Sequence, residues 1–137
     1  MTYATTTYGL TADVPYDYDE AVERVKALLK EEGFGVLTEI DVKRTLKEKL
    51  DKEVEPYLIL GACNPPLASR ALELEPDIGL LLPCNVIVAK KGDRTRVGAV
   101  NPQSMVDFTD NPALSEVSRE ADARLRRVIE RMASGAV

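Results

Sequence analysis

Both cysteines of the chain fall within one stretch, LGACNPPLASRALELEPDIGLLLPCNVIV, and each is followed by asparagine, as Cys63-Asn64 and Cys84-Asn85. An ionised thiol is a nucleophile, a redox group and a ligand for soft metals. Cys63 closes an apolar run and precedes Asn64-Pro65, the signature of a helix start. The partial positive charge at such a helix end stabilises a thiolate. Pro65 and Pro66 delete two of the N–H groups that would otherwise cradle an anion there. Cys84 follows Pro83 at the start of a second apolar run, so the two sulfurs converge if the runs are neighbouring strands. Asn64, Asn85 and Asn101 are the candidate ligand amides, although caps and turns use asparagine equally well.

Four readings of the pair stand open. Free cysteine is among the most buried residue types, so both can be packing residues. They can be a reactive or redox pair that binds or attacks a small molecule, with Cys63 as nucleophile and Cys84 as resolving thiol. They can fill half of a tetrahedral metal site, completed by a second copy or by Glu75 and Asp77. They can form a structural disulfide, which a reducing compartment disfavours. A spacing of 21 residues is no CxxC motif. Histidine is absent, which removes the commonest general base, the histidine-dependent triads and every imidazole metal site. Only carboxylates, lysine or arginine remain to activate a thiol. No phosphate-binding loop, dinucleotide-binding glycine motif or HExxH occurs.

The chain has 137 residues, 45% apolar and 30% charged, which fits a single domain over 1–137 with its own core. A net charge of −5 speaks against nucleic acid as partner. The start, MTYATTTYGL, has no basic and apolar leader, and no run approaches the ~18 apolar residues of a membrane span. A cytoplasmic protein without a membrane partner is the expectation.

The elements that must place the cysteines read as follows. YATTTYG, residues 3–9, is a strand and TADVPYD a turn. A helix starts at Asp17, carries Val22, Val25, Leu28 and Leu29 at helical spacing, and stops at Gly33. Phe34, Val36 and Ile40 mark a half-buried strand. Asp41 caps a short helix with Val42, Leu46 and Leu50 in line. PYLILGAC is the central strand. A helix after Asn64 turns Leu67, Ala71 and Leu74 inward. LLLPCNVIVAKK and RVGAV form a hairpin, with Pro83 at an edge, a bulge or the strand start. NPQSMVDFTDNP reads as a loop whose Pro102, Met105 and Phe108 can wall an apolar groove. The last helix begins at Asn111-Pro112 with Val117, Ala121, Leu125, Val128 and Met132 inward, and SGAV frays. Its Arg124, Arg126, Arg127 and Arg131 read as a solvated face paired with Glu120, Asp122 and Glu130. Runs of strands between two long helices point to an α+β fold, an antiparallel sheet of about five strands with both helices on one face.

At LGACNPPLASRAL and GLLLPCNVIV the chain resembles the bacterial and archaeal domain-of-unknown-function family 302, over most of its length. The resemblance rests on the Gly61–Pro65 turn, the Ala68–Leu72 helix and the Leu82-Pro83 step, and the paired cysteines resemble a cysteine-bearing subgroup. It implies a TATA-binding-protein-like topology, strand, helix, four strands and helix, and a homodimer. It implies no activity and no cofactor. The functional expectation is a homodimer that binds a small ligand, or senses oxidant or metal, at Cys63, Asn64, Cys84, Asn85 and Asn101. A thiol-dependent enzyme using Cys63 and a purely structural assembly module are the alternatives.

Overall fold

The computed structural model describes residues 3–135. The elements run β1 (Ala4–Thr5), β2 (Gly9–Val14), α1 (Tyr18–Glu31), β3 (Gly35–Asp41), α2 (Val42–Leu50), β4 (Tyr57–Cys63), α3 (Pro65–Leu74), β5 (Cys84–Lys91), β6 (Arg94–Val100), α4 (Gln103–Thr109) and α5 (Ser115–Ser134). Among the described residues six strands form one antiparallel sheet in the order β1-β2-β6-β5-β4-β3. The protein is α+β, with α1 and α5 packed together on one face of that sheet.

Period-two alternation explains the core. Leu10, Ala12 and Val14 of β2, Leu58, Leu60 and Ala62 of β4, Val86 and Val88 of β5, and Val97 and Ala99 of β6 all turn toward the helices. Val22, Val25, Leu28 and Leu29 of α1 and Leu125, Val128, Ile129 and Met132 of α5 meet them. A second, smaller cluster joins Leu67 and Ala71 of α3 to Ile78 and to Leu114, Val117 and Ala121. Full burial of a leucine- or isoleucine-sized side chain contributes about 2 kcal/mol, so each stripe outweighs the helix propensities along it.

Several sequence expectations change here. Residues 3–9 are not one strand: β1 is two residues long, and Thr6 Oγ1 accepts from the Gly9 amide at 3.0 Å in the turn between β1 and β2. Thr11 to Val14 continue a strand rather than turn, because Leu10, Ala12 and Val14 bury on one side while Asp13 pairs with Arg96 across β6 at 2.8 Å. Leu80 to Leu82 are not strand either. A 3-10 turn covers Pro76–Leu81 and leaves Leu80 88% exposed, and β5 begins directly after Pro83. The expected loop after Asn101 contains α4, and α5 follows a 3-10 turn over Pro112–Leu114. Leu74, expected inward, is exposed; α2 forms with Val42, Leu46 and Leu50 in line, but it buries no residue and leaves Leu50 exposed. In β3 Phe34 is buried just before the strand, but Ile40 is half exposed, because the pairing register shifts between Val36 and Thr38.

The arginines of α5 divide their partners. Arg124 and Arg126 pair with Glu120 and Asp122 one turn back, as expected. Arg127 and Arg131 instead cross to Glu32 and Glu31 at the end of α1, both at 2.8 Å. Arg124 also donates to the Glu32 carbonyl at 2.8 Å, where α1 stops before Gly33 at φ 85°. Of the expected fraying at SGAV, Ser134 ends α5 and Gly135 caps it, while residues 136–137 lie outside the described residues. Among the described residues no helix is long and apolar enough to cross a membrane.

Gly61 holds the sheet end together. A Cβ at this position would run into Thr38 Oγ1 from β3 and stand 2.9 Å from Pro83 Cγ. Gly61→Ala is expected to cost about 1–3 kcal/mol in urea unfolding through this overpacking. Thr38→Ala in the same chain should recover a large part of the loss, since the two changes share one space.

Candidate functional site

The antiparallel register sets the two thiols. Cys84, the first residue of β5, stands opposite Ala62 of β4, faces the helices and is buried. Cys63, the last residue of β4, stands opposite Gly35 and is half-buried. Both are free thiols. A cavity of about 360 Å³ lies off this end of the sheet, and both cysteines line it. Its remaining wall comes from Phe34, Leu37 and Thr38 beside β3, from Leu67, Ala68, Ala71 and Leu72 of α3, and from Ile78, Leu82 and Pro83 of the 3-10 segment. Pro102, Met105, Leu114, Val117, Ser118 and Ala121 close the far side. Among the described residues no charged side chain lines it. Leu37 and Leu72, 68% and 43% exposed, carry the lining out to solvent.

Asn64 links the cavity to the scaffold. Its carbonyl caps α3 by accepting from the Leu67 amide at 3.3 Å, and its amide points at the Glu32 carbonyl at 3.5 Å. Of the expected amide donors, Asn64 alone lines the cavity. Asn85, one residue past Cys84, pairs with Gly61 and is exposed, because alternation turns it to the other face of the sheet. Asn101 is buried, donates to the Thr6 carbonyl at 3.0 Å and accepts from the Gln103 amide at 3.1 Å. Its side chain shapes the loop instead of facing the cavity. Phe108, expected beside Pro102 and Met105, is 75% exposed and outside the lining.

Among the described residues no three of Cys, Asp and Glu gather closely enough to hold a metal ion. Glu75 accepts from the Asn111 amide at 3.0 Å, and neither it nor Asp77 reaches the cavity. Sequence reasoning missed Leu37, Ala68, Leu72, Val117 and Ser118 as lining residues. It also missed α4, whose signal was available. Asn101-Pro102 repeats the Asn-Pro step seen before α3 and before the Pro112–Leu114 turn, and in all three the asparagine oxygen accepts from a backbone amide two or three residues on.

Burial pushes the Cys84 thiol up to about 11 from an ordinary 9.0, and negative charge on Cys63 adds to the effect. The folded chain therefore keeps a proton that the unfolded chain releases over this interval. The associated stability is complete below the lower value and is lost as pH rises through the upper one. Relative to Cys84→Ala, the unmodified chain is expected to lose about 2–3 kcal/mol across that window in denaturant titrations. A thiol reagent at mildly alkaline pH should modify half-buried Cys63 well before Cys84, which should react only as the chain unfolds.

Comparison with known proteins agrees with this architecture. The sequence profile of DUF302, a domain of unknown function, matches residues 10–132. The crystal structure of an uncharacterized conserved DUF302 protein from Bacillus stearothermophilus superposes with a TM-score of 0.86 at 34% sequence identity, covering 93% of this chain and 99% of that one. No curated protein matches the chain. A profile spanning nearly the whole sheet-and-helix unit, with a structural relative of the same extent, makes this chain a member of the DUF302 family.

Proposed function

We propose that this chain is a small-molecule binding protein that takes an apolar ligand into the cavity between the sheet end and α3, α4 and α5, with Cys63 and Cys84 in contact with it. The observation that carries this reading is the uncharged cavity of about 360 Å³ with both thiols in its wall. That volume falls in the lower part of the range of small-molecule sites, which are mostly apolar with a few polar groups. Leu37 and Leu72 give an incoming apolar molecule a surface to contact first. The thiols extend the reading to oxidants and soft metal ions. Cys63 is the accessible sulfur, and Cys84 responds to it through their shared electrostatics.

The same reading takes the chain as a homodimer. Strand β3 is an edge of the sheet with Ile40 exposed, a surface suited to a second copy. The enzyme alternative, with Cys63 attacking and Cys84 resolving, finds no carboxylate or amine in the lining to act as base. The burial of Cys84 also opposes the thiolate that resolution requires. A pure assembly module leaves the cavity without a task.

Naphthalene, neutral and apolar, serves as a probe by heteronuclear NMR titration. It is expected to shift amide resonances of α3, α4 and the first half of α5. Ala71→Leu and Ala68→Phe, which fill the cavity from its wall, should each weaken binding at least tenfold with the circular dichroism melt retained. Equal binding by both filled variants would overturn the reading. In sedimentation the chain should run as a dimer, and Ile40→Asp should yield monomer.

A further inference from the structure

Among the described residues five polar side chains are buried: Asn64, Thr95, Asn101, Ser104 and Ser118. Four of them have clear partners. Asn64 and Asn101 are engaged as above. Thr95 donates to the Tyr16 carbonyl at 2.7 Å, and Ser104 donates to the Asn101 carbonyl at 2.8 Å. Ser118 is the exception. It is 5% exposed, and among the described residues no group bonds its hydroxyl; the one fully enclosed side-chain atom without a partner is Arg124 Nε, so the Ser118 oxygen keeps a small accessible surface. A hydroxyl in so confined a place has little room for hydration, and hydroxyls without a protein partner are uncommon in the interior of native folds. Helical serines often satisfy themselves on the preceding turn, whereas Ser118 stands in the wall of the cavity. It lies instead on α5 between Val117 and Ala121, and all three line the cavity.

We propose that the Ser118 hydroxyl is the polar anchor of the cavity, and that the ligand is a neutral aliphatic molecule carrying one oxygen function, a carbonyl or an alcohol. The inference rests on the binding reading above and adds the chemical class of the ligand. A hydroxyl both donates and accepts, so it serves either function. No charged side chain lines the cavity to meet an ionised group, and moving a bare charge into such surroundings is strongly unfavourable. Water is a poor substitute occupant beside Ser118, because a buried water needs two to four polar partners and the surrounding wall is aliphatic. The other hydroxyl of the lining, Thr38, is exposed at the mouth and finds solvent there.

The test compares methyl hexyl ketone, n-octane and octanoate on the full chain and on Ser118→Ala, by NMR titration. Ser118→Ala is expected to lower the affinity for the ketone about three- to tenfold and to leave n-octane unchanged. Octanoate should bind at least tenfold more weakly than the ketone. The carbonyl stretch of the bound ketone should lie at lower frequency in the unmodified protein than in Ser118→Ala, a signature that a merely structural serine would not give. Equal effects of the substitution on ketone and alkane, an unshifted carbonyl band, or octanoate binding as tightly as the ketone would each overturn the Ser118 assignment while leaving the cavity as a binding site. Failure of both ketone and alkane to bind would overturn the cavity reading, and this one with it.

Discussion

The absence of a side chain at Gly61 is the constraint on which the site depends. Thr38 from β3 and the Pro83 ring from the lead-in to β5 occupy the space where a Cβ would stand. One position thereby draws the strands on either side onto β4. Leu37 becomes the extra residue in β3, pushed outward, and the pairing resumes at Thr38 opposite Gly61. Pro83, which has no N–H to contribute to a ladder, lies outside the paired segment, so β5 starts with Cys84 opposite Ala62. Cys63 and Cys84 come to one end of the sheet because this junction fixes where both strands end.

Helix α5 makes that end into a cavity wall. Its second half, Leu125 to Met132, belongs to the main core with α1 and the sheet. Its first part, Val117 and Ala121, belongs to the smaller cluster with α3, Ile78 and Leu114. Met105 packs against both clusters. At 20 residues the helix is about 30 Å long, enough to run past the sheet edge and carry a second layer beyond it. The cavity occupies the junction between the two layers, where neither brings enough side-chain volume to close the space. The ion pairs of Arg127 and Arg131 with the end of α1 clamp the half of α5 that needs no adjustment.

Much of this was legible in the sequence wherever one local rule decided the outcome. The stripe of α1 and its stop at Gly33, the cap at Asp41, the central strand PYLILGAC and the Asn64 helix start all follow from spacing and capping chemistry. The errors came where a distant partner decided. Asp13 makes TADV look like a turn until Arg96 appears across β6 to accept its charge. Leu80, Leu81 and Leu82 look like a strand because an apolar run carries no period, and the exposure of Leu80 depends on how the 3-10 turn docks. The repeated Cys-Asn step points to one end of the sheet, where both cysteines line the cavity, yet strand alternation sends Asn85 away from the thiol beside it. Ser118 had no sequence signal, since a serine between two apolar residues of a helix reads as surface until the neighbouring layer is known.

The aliphatic lining also governs the solvent inside. Water molecules in a space walled mostly by leucine, alanine, proline and methionine give up more hydrogen bonds than the few polar groups there replace. They are held loosely, and they return to bulk liquid without opposing whatever displaces them. Association at such a place is recognised in a calorimeter by a negative heat-capacity change, the thermodynamic mark of apolar surface withdrawn from water.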